Sequence, residues 1–440
     1  MMINKKVPVA LFLTAGLIAG STLLRDDPST AGAVEPLPDP EAMLASGYGY
    51  DPLDEVAATW RVRVQENPGD YLSRTQLGRS LLGLAKETGD LTLYERAEAQ
   101  LQVAAEAAPN DAPAQMGLAA SLSAQHEFAD ALDILEAVHD ARPDDLGVQA
   151  AIADAHIDLG DYDAAFALLD DVVEQHPDTV AVLSRQARVA ALTGDNEGAV
   201  DYARRTLIRA ADFGLRPSEA AGMWFQLAFF EYQAGMVDDA ATTLRSGLSI
   251  DPGHLGSREM LGKVLVALGR LEEAAALYED ILDATPAADL HGLLAEVYDA
   301  LGRPDDAREQ VQLGAAVAEE QIGRFPAERR HLAGFFADHD PATFLELMEE
   351  DVATRQDVGG LDLLAWARYL NGDLDGAREA MSRAMALGSR DAPLLFHAGM
   401  IAAASGEDGE ARELLETALE LNPGFDIGDV ALAQATLEDL

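Results

Sequence analysis

Residues 256–263 place two glycines before a lysine, as a phosphate-binding loop does. In such a loop the glycines let backbone N–H groups approach the phosphates, and a hydroxyl side chain after the lysine holds Mg²⁺. Here the interval from Gly256 to Gly262 is one residue too long, and Val264 stands where the hydroxyl is needed. We therefore interpret the stretch as the start of a helical repeat.

Residues 371–376 resemble the first half of a calcium-binding loop. Asn371, Asp373 and Asp375 put side-chain oxygens at alternate positions before Gly376, and such oxygens suit Ca²⁺. The twelfth position of this loop is Ser382, however, where a bidentate glutamate is required. We favour a turn between two helices, with calcium binding as the alternative.

No other group of residues forms a catalytic constellation. The nine histidines are scattered, and His331 and His339, which flank a short loop, fit solvated or capping roles. With no cysteine in the chain, disulfides, thiolate metal sites and thiol catalysis are excluded. Carboxylates are so abundant that no pair stands out for general acid work. We predict no catalytic residue, no metal, no cofactor and no enzymatic activity.

The elements that carry these residues follow a fixed interval. Pro109, Pro143 and Pro177 lie 34 residues apart, and Pro252 and Pro286 repeat the interval. A period of this length is typical of stacked helix–turn–helix repeats. Apolar residues at three-and-four spacing indicate the helices, a glycine ends the first helix of a pair, and the proline follows the second.

Two stretches show the pattern most clearly, residues 146–179 and 255–288. Each carries a small residue, a glycine turn, a second small residue, an apolar position and the proline. In the first stretch these are Ala153, Gly160, Ala165, Leu169 and Pro177. Both resemble the tetratricopeptide repeat family, of a prokaryotic exported or membrane-anchored type. The resemblance implies an all-α, right-handed α-solenoid of about ten repeats with terminal capping helices.

The pattern predicts the following order along the chain. A signal peptide or membrane anchor (1–24) and a disordered linker (25–50) precede an N-terminal capping helix (51–68). Four repeats (69–213) and three more (214–321) follow, with an interruption at residues 212–219. A degenerate repeat (322–356), repeats nine and ten (357–426) and a C-terminal capping helix (427–440) complete the chain.

The family resemblance also implies a binding surface. In such proteins the first helices of successive repeats line a concave groove that holds a peptide. Carried onto this sequence, the predicted peptide-binding residues are Phe225, Phe229, Tyr232, Arg188, Lys263, Trp366 and Tyr369. Packing within or between repeats is the alternative role for the aromatic ones. Because Lys263 is the only lysine facing the groove, a clamp for acidic carboxyl tails does not carry over, and an acidic groove favours basic or apolar segments.

The net charge is −46, with 77 acidic against 31 basic residues. Such a field repels nucleic acid and anionic membranes, so we predict no nucleic-acid partner. A high-salt habitat would explain the acidity, because screening at about 1 M salt shortens to about 3 Å and weakens the self-repulsion. A solvated acidic surface together with GC-rich codon usage is the alternative.

Residues 1–24 have the features of an export signal. Lys5 and Lys6 precede the uncharged, apolar residues 7–24, whose 18 residues approach the length of a membrane span. Ala31-Gly32-Ala33 offers a small-x-small cleavage site, although the charged residues 25–27 before it are unusual. An uncleaved anchor, a cleaved signal and a buried cytosolic helix stay open, and the first two place the repeats outside the cytoplasm.

The sequence therefore favours a non-enzymatic scaffold that binds peptide segments of unknown protein partners, in envelope assembly or secretion. It is tethered to the membrane by its N-terminal segment, or periplasmic or secreted if that segment is cleaved. A homo-oligomeric structural protein is the first alternative. An enzyme, or an accessory subunit of one, with a site in residues 324–356 is the second.

Overall fold

The structure is a computed structural model that describes residues 35–44, 52–324, 329–337 and 339–440. The predicted signal or anchor, residues 1–24, lies outside the described residues, as does the cleavage site at 31–33. Within the described ranges the chain forms 22 α-helices and two short 3₁₀ helices, and no strand beyond one isolated bridge. None of the described helices combines the length and apolar composition of a membrane span.

The helices follow one another with short connections. The first eleven are α1 (Leu53–Glu66), α2 (Tyr71–Thr88), α3 (Thr92–Ala107), α4 (Ala112–Ala124), α5 (Phe128–Ala141), α6 (Leu146–Leu159), α7 (Tyr162–Gln175), α8 (Val180–Leu192), α9 (Asn196–Ala210), α10 (Pro217–Gln233) and α11 (Val237–Ile250). The others are α12 (Leu255–Ala267), α13 (Leu271–Leu282), α14 (Ala288–Ala300), α15 (Pro304–Ile322), α16 (Arg329–Ala337), α17 (Pro341–Val352), α18 (Val358–Leu370), α19 (Leu374–Ala384), α20 (Ala392–Ala404), α21 (Asp408–Leu421) and α22 (Ile427–Asp439).

Helices α2 to α21 form ten consecutive pairs, with α1 before them and α22 after them. Each pair packs on the next, and small buried side chains such as Ala153 and Ala165 let the helices approach closely. The turns fall at the predicted glycines. Gly160, Gly269 and Gly406, for example, adopt the left-handed conformation that ends a first helix. The predicted α-solenoid is confirmed.

The solenoid winds tightly enough for one superhelical turn to touch the next. The N–H of Val358 donates to the Tyr162 hydroxyl (2.7 Å), and the Asn196 side chain donates to the Arg390 carbonyl (2.8 Å). Such partners are 193–198 residues apart in sequence. With repeats of about 34 residues, a turn therefore closes after between five and six repeats. We call these connections the turn-to-turn contacts.

The predicted disordered linker at 25–50 contains a docked segment. Residues 35–44 lie against the outer side of α9 to α11, and the Met43 side chain is wholly buried there. The N–H of Leu215 donates to the Met43 carbonyl (2.8 Å). Leu215 belongs to the interruption predicted at 212–219, so this irregular segment supplies the backbone partner that the docked segment needs.

Candidate interaction surface

We call the surface formed by the first helices of the pairs the concave surface, after the family resemblance. Much of it is covered by other parts of the chain. Helices α6, α8, α12 and α18 contain no exposed residue. The second helices differ, since α7, for example, exposes Asp163, Asp170 and Asp171 to solvent. The first helices are thus less exposed than the second helices, which present an acidic surface to water.

Two of the predicted peptide-binding aromatics pack between repeats. Phe225 is buried, and its ring lies against α11 and α12 in a cluster with Leu244 and Met260. Phe229 is half-buried against the same cluster and meets the Phe230 ring edge-on at 5.4 Å between centroids. This packing is the alternative that the sequence left open for both residues.

Tyr232 contacts a distant part of the chain. Its hydroxyl donates to the carbonyl oxygen of Phe425 (3.3 Å), in the loop between α21 and α22. Burial raises the pKa of this hydroxyl well above its ordinary value, so it stays a donor at any physiological pH. A predicted peptide-binding side chain therefore binds backbone of the protein itself.

Arg188 is held in an ion-pair cluster on α6 and α8. Its guanidinium pairs with the carboxylates of Asp158 and Asp154, and Asp154 also pairs with Arg185. Burial raises the pKa of Asp158, and Arg188 offsets only part of that effect. The charges that would recognise a ligand are therefore paired with opposite charges of the same chain.

Lys263 lies among carboxylates where three first helices meet the C-terminal segment. Burial lowers the pKa of its ammonium, while Asp289, Glu259 and Asp426 oppose that shift. A small pocket beside it is lined by Lys263, Val266, Tyr278, Leu293, Glu296, Val297 and residues 425–427. The charge of this lysine is therefore met by carboxyl groups of the same chain.

Trp366 and Tyr369 belong to a stack of rings between α18 and α20. The Trp366 ring lies 4.7 Å from that of Tyr369 and 4.5 Å from that of His397, both nearly parallel. Trp366 is 1% exposed, and His397 Nδ1 lies 2.8 Å from an oxygen of Asp362. The stack packs the last two repeats together and leaves Trp366 no exposed face.

Sequence reasoning missed an ion-pair cluster around the degenerate repeat and the residues of the turn-to-turn contacts. Arg330 on α16 bridges Asp351 and Asp357, and Arg355 also binds Asp351. Tyr162 adds the hydrogen bond to Val358 described above. These residues belong to turns or to the degenerate repeat, where the family pattern assigns no role. Only the arginine–aspartate richness of residues 329–357 hinted at an ionic cluster.

The two stretches with motif-like spacing have structural roles. Residues 256–262 lie inside α12 and form no loop. The Asn371 side chain donates to the Pro341 carbonyl (2.7 Å), and an Asp373 oxygen accepts from the Gly376 N–H (3.0 Å) as the cap of α19. The side-chain groups considered for calcium thus hold a turn. Within the described residues, no three histidines or carboxylates are placed to hold a metal ion.

Buried carboxylates on the first helices should make stability depend on pH. Burial, assisted by Asp289, raises the pKa of Glu259 from 4.5 to about 8, although Lys263 and Arg258 oppose the shift. A raised carboxyl pKa means that the folded protein holds the proton more tightly than the unfolded chain. The resulting stabilisation is complete below pH 4.5 and is lost as the pH rises through about 8.

We therefore expect the urea midpoint to fall between pH 6 and 9, and Glu259→Gln to flatten that fall. Glu273→Gln removes the same charge from an exposed site, where Arg270 lowers the carboxyl pKa, and serves as the control. Circular dichroism during urea unfolding at several pH values measures both. An unchanged pH profile in Glu259→Gln would contradict the assignment.

Comparison with protein-family models matches three models, each described as a tetratricopeptide repeat. One matches residues 122–192 and 231–295, a second residues 363–424, and a third residues 288–312. These ranges fall on the helix pairs described above. No curated protein sequence matches the chain significantly.

Three solved structures match the chain at low sequence identity. A human IFIT1 dimer with PPP-AAAA shares 16% identity over 77% of this chain and 78% of that chain, with a TM-score of 0.49. The anaphase-promoting complex hetero-tetramer Cut9–Hcn1 shares 15% over 83% and 63%, with a TM-score of 0.37. MamA shares 17% over 39% and 97%, with a TM-score of 0.33. These similarities are too distant to transfer a ligand or partner.

Proposed function

Because this chain belongs to the tetratricopeptide repeat family, we propose that it is a non-enzymatic scaffold that binds segments of other proteins on its concave surface. One observation supports this most directly: α10, α12 and α14 already contact a segment of protein chain, residues 422–427, through a turn-to-turn contact and a small pocket. A surface that binds a chain segment in cis has the chemistry to bind one in trans.

The contacts define what that surface accepts. Tyr232 offers a hydroxyl donor for a backbone carbonyl, and Val266 and Leu293 offer apolar contact. The charge of Lys263 is met by carboxyl groups of the chain itself, among them Asp289 and Glu296. The surface therefore suits an apolar or basic segment, as the family resemblance implied.

We further propose that this scaffold works outside the cytoplasm, in envelope assembly or secretion. The support is the sequence of residues 1–24, in which Lys5 and Lys6 precede an apolar run. Docking of residues 35–44 on α9 to α11 would hold the repeats close to that segment. Fusion of a periplasm-active reporter to the chain tests the location, and an inactive reporter would reject it.

Cross-linking in cells tests the binding proposal. A photo-reactive amino acid is placed at Tyr232 or Lys263 on the concave surface, and at Asp170 or Asp408 on the convex surface. We expect segments of the same partner protein to be captured repeatedly from the concave positions and not from the convex ones. Capture from the convex positions alone, or of residues 422–440 alone, would reject a concave binding surface.

A further inference from the structure

The turn between α4 and α5 carries a residue that the turns of the other described pairs do not. In eight helix pairs the residue in the left-handed conformation between the two helices is a glycine. In the pair α4–α5 it is His126, with a φ of +61°, and no other described non-glycine residue has a positive φ. A left-handed backbone is strained in a residue with a Cβ atom, and such strain is often kept where it serves a function.

The His126 ring reaches the next superhelical turn. Its centroid lies 5.6 Å from that of His331 on α16 and 5.6 Å from that of Phe128 on α5. Phe128 is buried, and the centroid of its ring lies 5.5 Å from the guanidinium carbon of Arg355, which also belongs to the next turn. Two rings of one turn thus face a histidine and an arginine of the next. We call these four residues the histidine contact.

We infer that the histidine contact is a pH-sensitive connection between two superhelical turns, closed while His126 is neutral and loosened when acid protonates it. Loosening would expose parts of α4 and α16, two of the first helices that form the concave surface. The inference goes beyond the proposed binding function, because it concerns how the turns are held together. Its test involves no partner, so the two proposals can fail separately.

The charges of the next turn oppose a further cation at this place. Arg330 and Arg355 are already paired with two aspartates of their own turn, so a protonated imidazole would add an uncompensated positive charge. Burial is the main cause that lowers the pKa of His126 well below its usual value. His331, Arg355 and Arg330 lower this pKa further.

The carboxylates near the contact do not supply the missing negative charge. Asp351 and Asp357 are the two aspartates that the arginines bind. On the near side Glu127 is exposed to solvent, and burial, Glu98 and Asp130 raise its pKa. Because the pKa of the histidine is lowered in spite of these groups, the cations and burial outweigh them.

Protonation would also add a hydrogen-bond donor without an acceptor. The Nδ1 atom of His126 is buried and has no hydrogen-bond partner among the described residues. A neutral imidazole keeps one ring nitrogen without a proton, whereas the charged form carries an N–H on both. A buried N–H without an acceptor costs free energy in addition to the cost of the buried charge. Acid therefore acts against the closed contact in two ways.

The direction of the pH effect follows from the lowered pKa. A histidine of this kind stabilises the closed contact above its unfolded pKa, near 6.5, and the stabilisation is lost as the pH falls below that value. The ratio of open to closed contact should rise about tenfold between pH 7.5 and 5.5. Buried carboxyl groups such as Glu259 respond in the opposite direction, because their raised pKa favours the folded state in acid.

Hydrogen exchange of the full chain at pH 7.5 and 5.5, corrected for the intrinsic pH dependence of exchange, measures the opening at residues 122–128 and 330–335. His126→Asn is the variant that does not titrate, since asparagine tolerates the left-handed conformation. His176→Asn, at the end of α7, is the matched control. Residues 255–267 of α12 serve as the internal reference. A chelator in all samples prevents a metal ion from bridging the two imidazoles.

We expect the protection of residues 122–128 and 330–335 to fall about tenfold from pH 7.5 to 5.5 in the wild type and in His176→Asn, while α12 keeps its protection. In His126→Asn the protection should not change with pH in this way. An equal fall in His126→Asn, or no fall in the wild type, would overturn the inference.

A fixed charge tests the electrostatic cause without acid. His331→Lys places a permanent cation opposite His126, whereas His331→Gln removes the ring without adding a charge. At pH 7.5 we expect residues 122–128 to exchange about tenfold faster in His331→Lys than in His331→Gln, with equal helix content by circular dichroism. Equal exchange in the two variants would show that charge does not control the contact and would reject the proposal.

Discussion

Alanine in place of Gly235 is expected to push the two superhelical turns apart, whereas alanine in place of Gly406 should leave them in contact. The two glycines have the same φ, +77°, and both end the first helix of a pair. At Gly235 a Cβ atom would overlap the carbonyl oxygen of Leu421 in the next turn, while at Gly406 nothing lies within 4 Å. A comparison of the two variants therefore separates the cost of the left-handed backbone from the cost of disturbing the turn-to-turn contacts.

Both variants should lose about 1–2 kcal/mol, because alanine is strained in the left-handed region. Gly235→Ala should lose a further ~1–3 kcal/mol, since the neighbouring backbone must move as in an overpacked core. Urea unfolding measures the total loss of stability in each variant. Hydrogen exchange of residues 421–427 shows whether the additional loss in Gly235→Ala arises at this contact. If the two variants lose equal stability and exchange equally at 421–427, the turns do not rest on each other at Gly235.

Gly160 and Gly194 lie at two further turn-to-turn contacts, where the same argument applies. A Cβ atom at either would overlap backbone of the following turn, at Gln356 and Gly388 respectively. In the sequence these glycines look like ordinary helix-ending residues, and their spacing predicted the turns correctly. Their second role could not be predicted, because it depends on residues about 195 positions away, beyond any local pattern.

The same limit explains the outcome for the predicted concave residues. The 34-residue pattern is local, so it predicts which side chains of a first helix point inward, such as Tyr232 and Lys263. It does not predict the pitch of the superhelix, because the pitch results from small packing angles between successive repeats that add up over many helices. An open groove was therefore assumed, while the structure covers these side chains with the chain itself.

The two irregular stretches show a related limit. Residues 25–50 lack periodic apolar residues and were predicted to be a spacer, yet Met43, together with Leu37 and Leu44, anchors residues 35–44. Residues 322–356 were predicted as a degenerate repeat, and α16 and α17 form a short pair there. Ion pairs hold that pair in place, and sequence patterns seldom reveal ion pairs in a chain with so many carboxylates.

Arg330 is the centre of those ion pairs and joins α16 to the turn before α18. Its guanidinium donates to Asp351 (2.6 and 2.9 Å) and to Asp357 (2.6 and 2.9 Å). The side chains of Arg330 and Asp351 are 5% and 6% exposed. Burial by itself would raise the pKa of Asp357, but Arg330 holds it below its ordinary value. Arg330 is therefore the main group that keeps the Asp357 carboxylate charged.

Arg330→Met keeps most of the side-chain volume and removes the charge, which leaves Asp357 without its main cation and the buried Asp351 with Arg355 alone. We expect a loss of about 3–5 kcal/mol, since removing one partner of a buried ion pair exposes the cost of burying the other. Arg329→Met is the matched control at the adjacent residue. Arg329 pairs with Glu350 (2.8 Å) while both are partly exposed, so its loss should be about 0–1 kcal/mol.

Urea unfolding at pH 7 compares the two variants, and a second series at pH 4 tests the cause. Arg330→Met removes the cation that lowers the pKa of Asp357, so Asp357 can take up a proton and part of the lost stability should return as the pH falls, whereas wild type should not gain in this way. Similar losses for both arginines, or a deficit in Arg330→Met that is the same at both pH values, would contradict a buried charge cluster. In that case the degenerate repeat would have to be held by apolar packing, with Phe344 and Met348 as its main contacts.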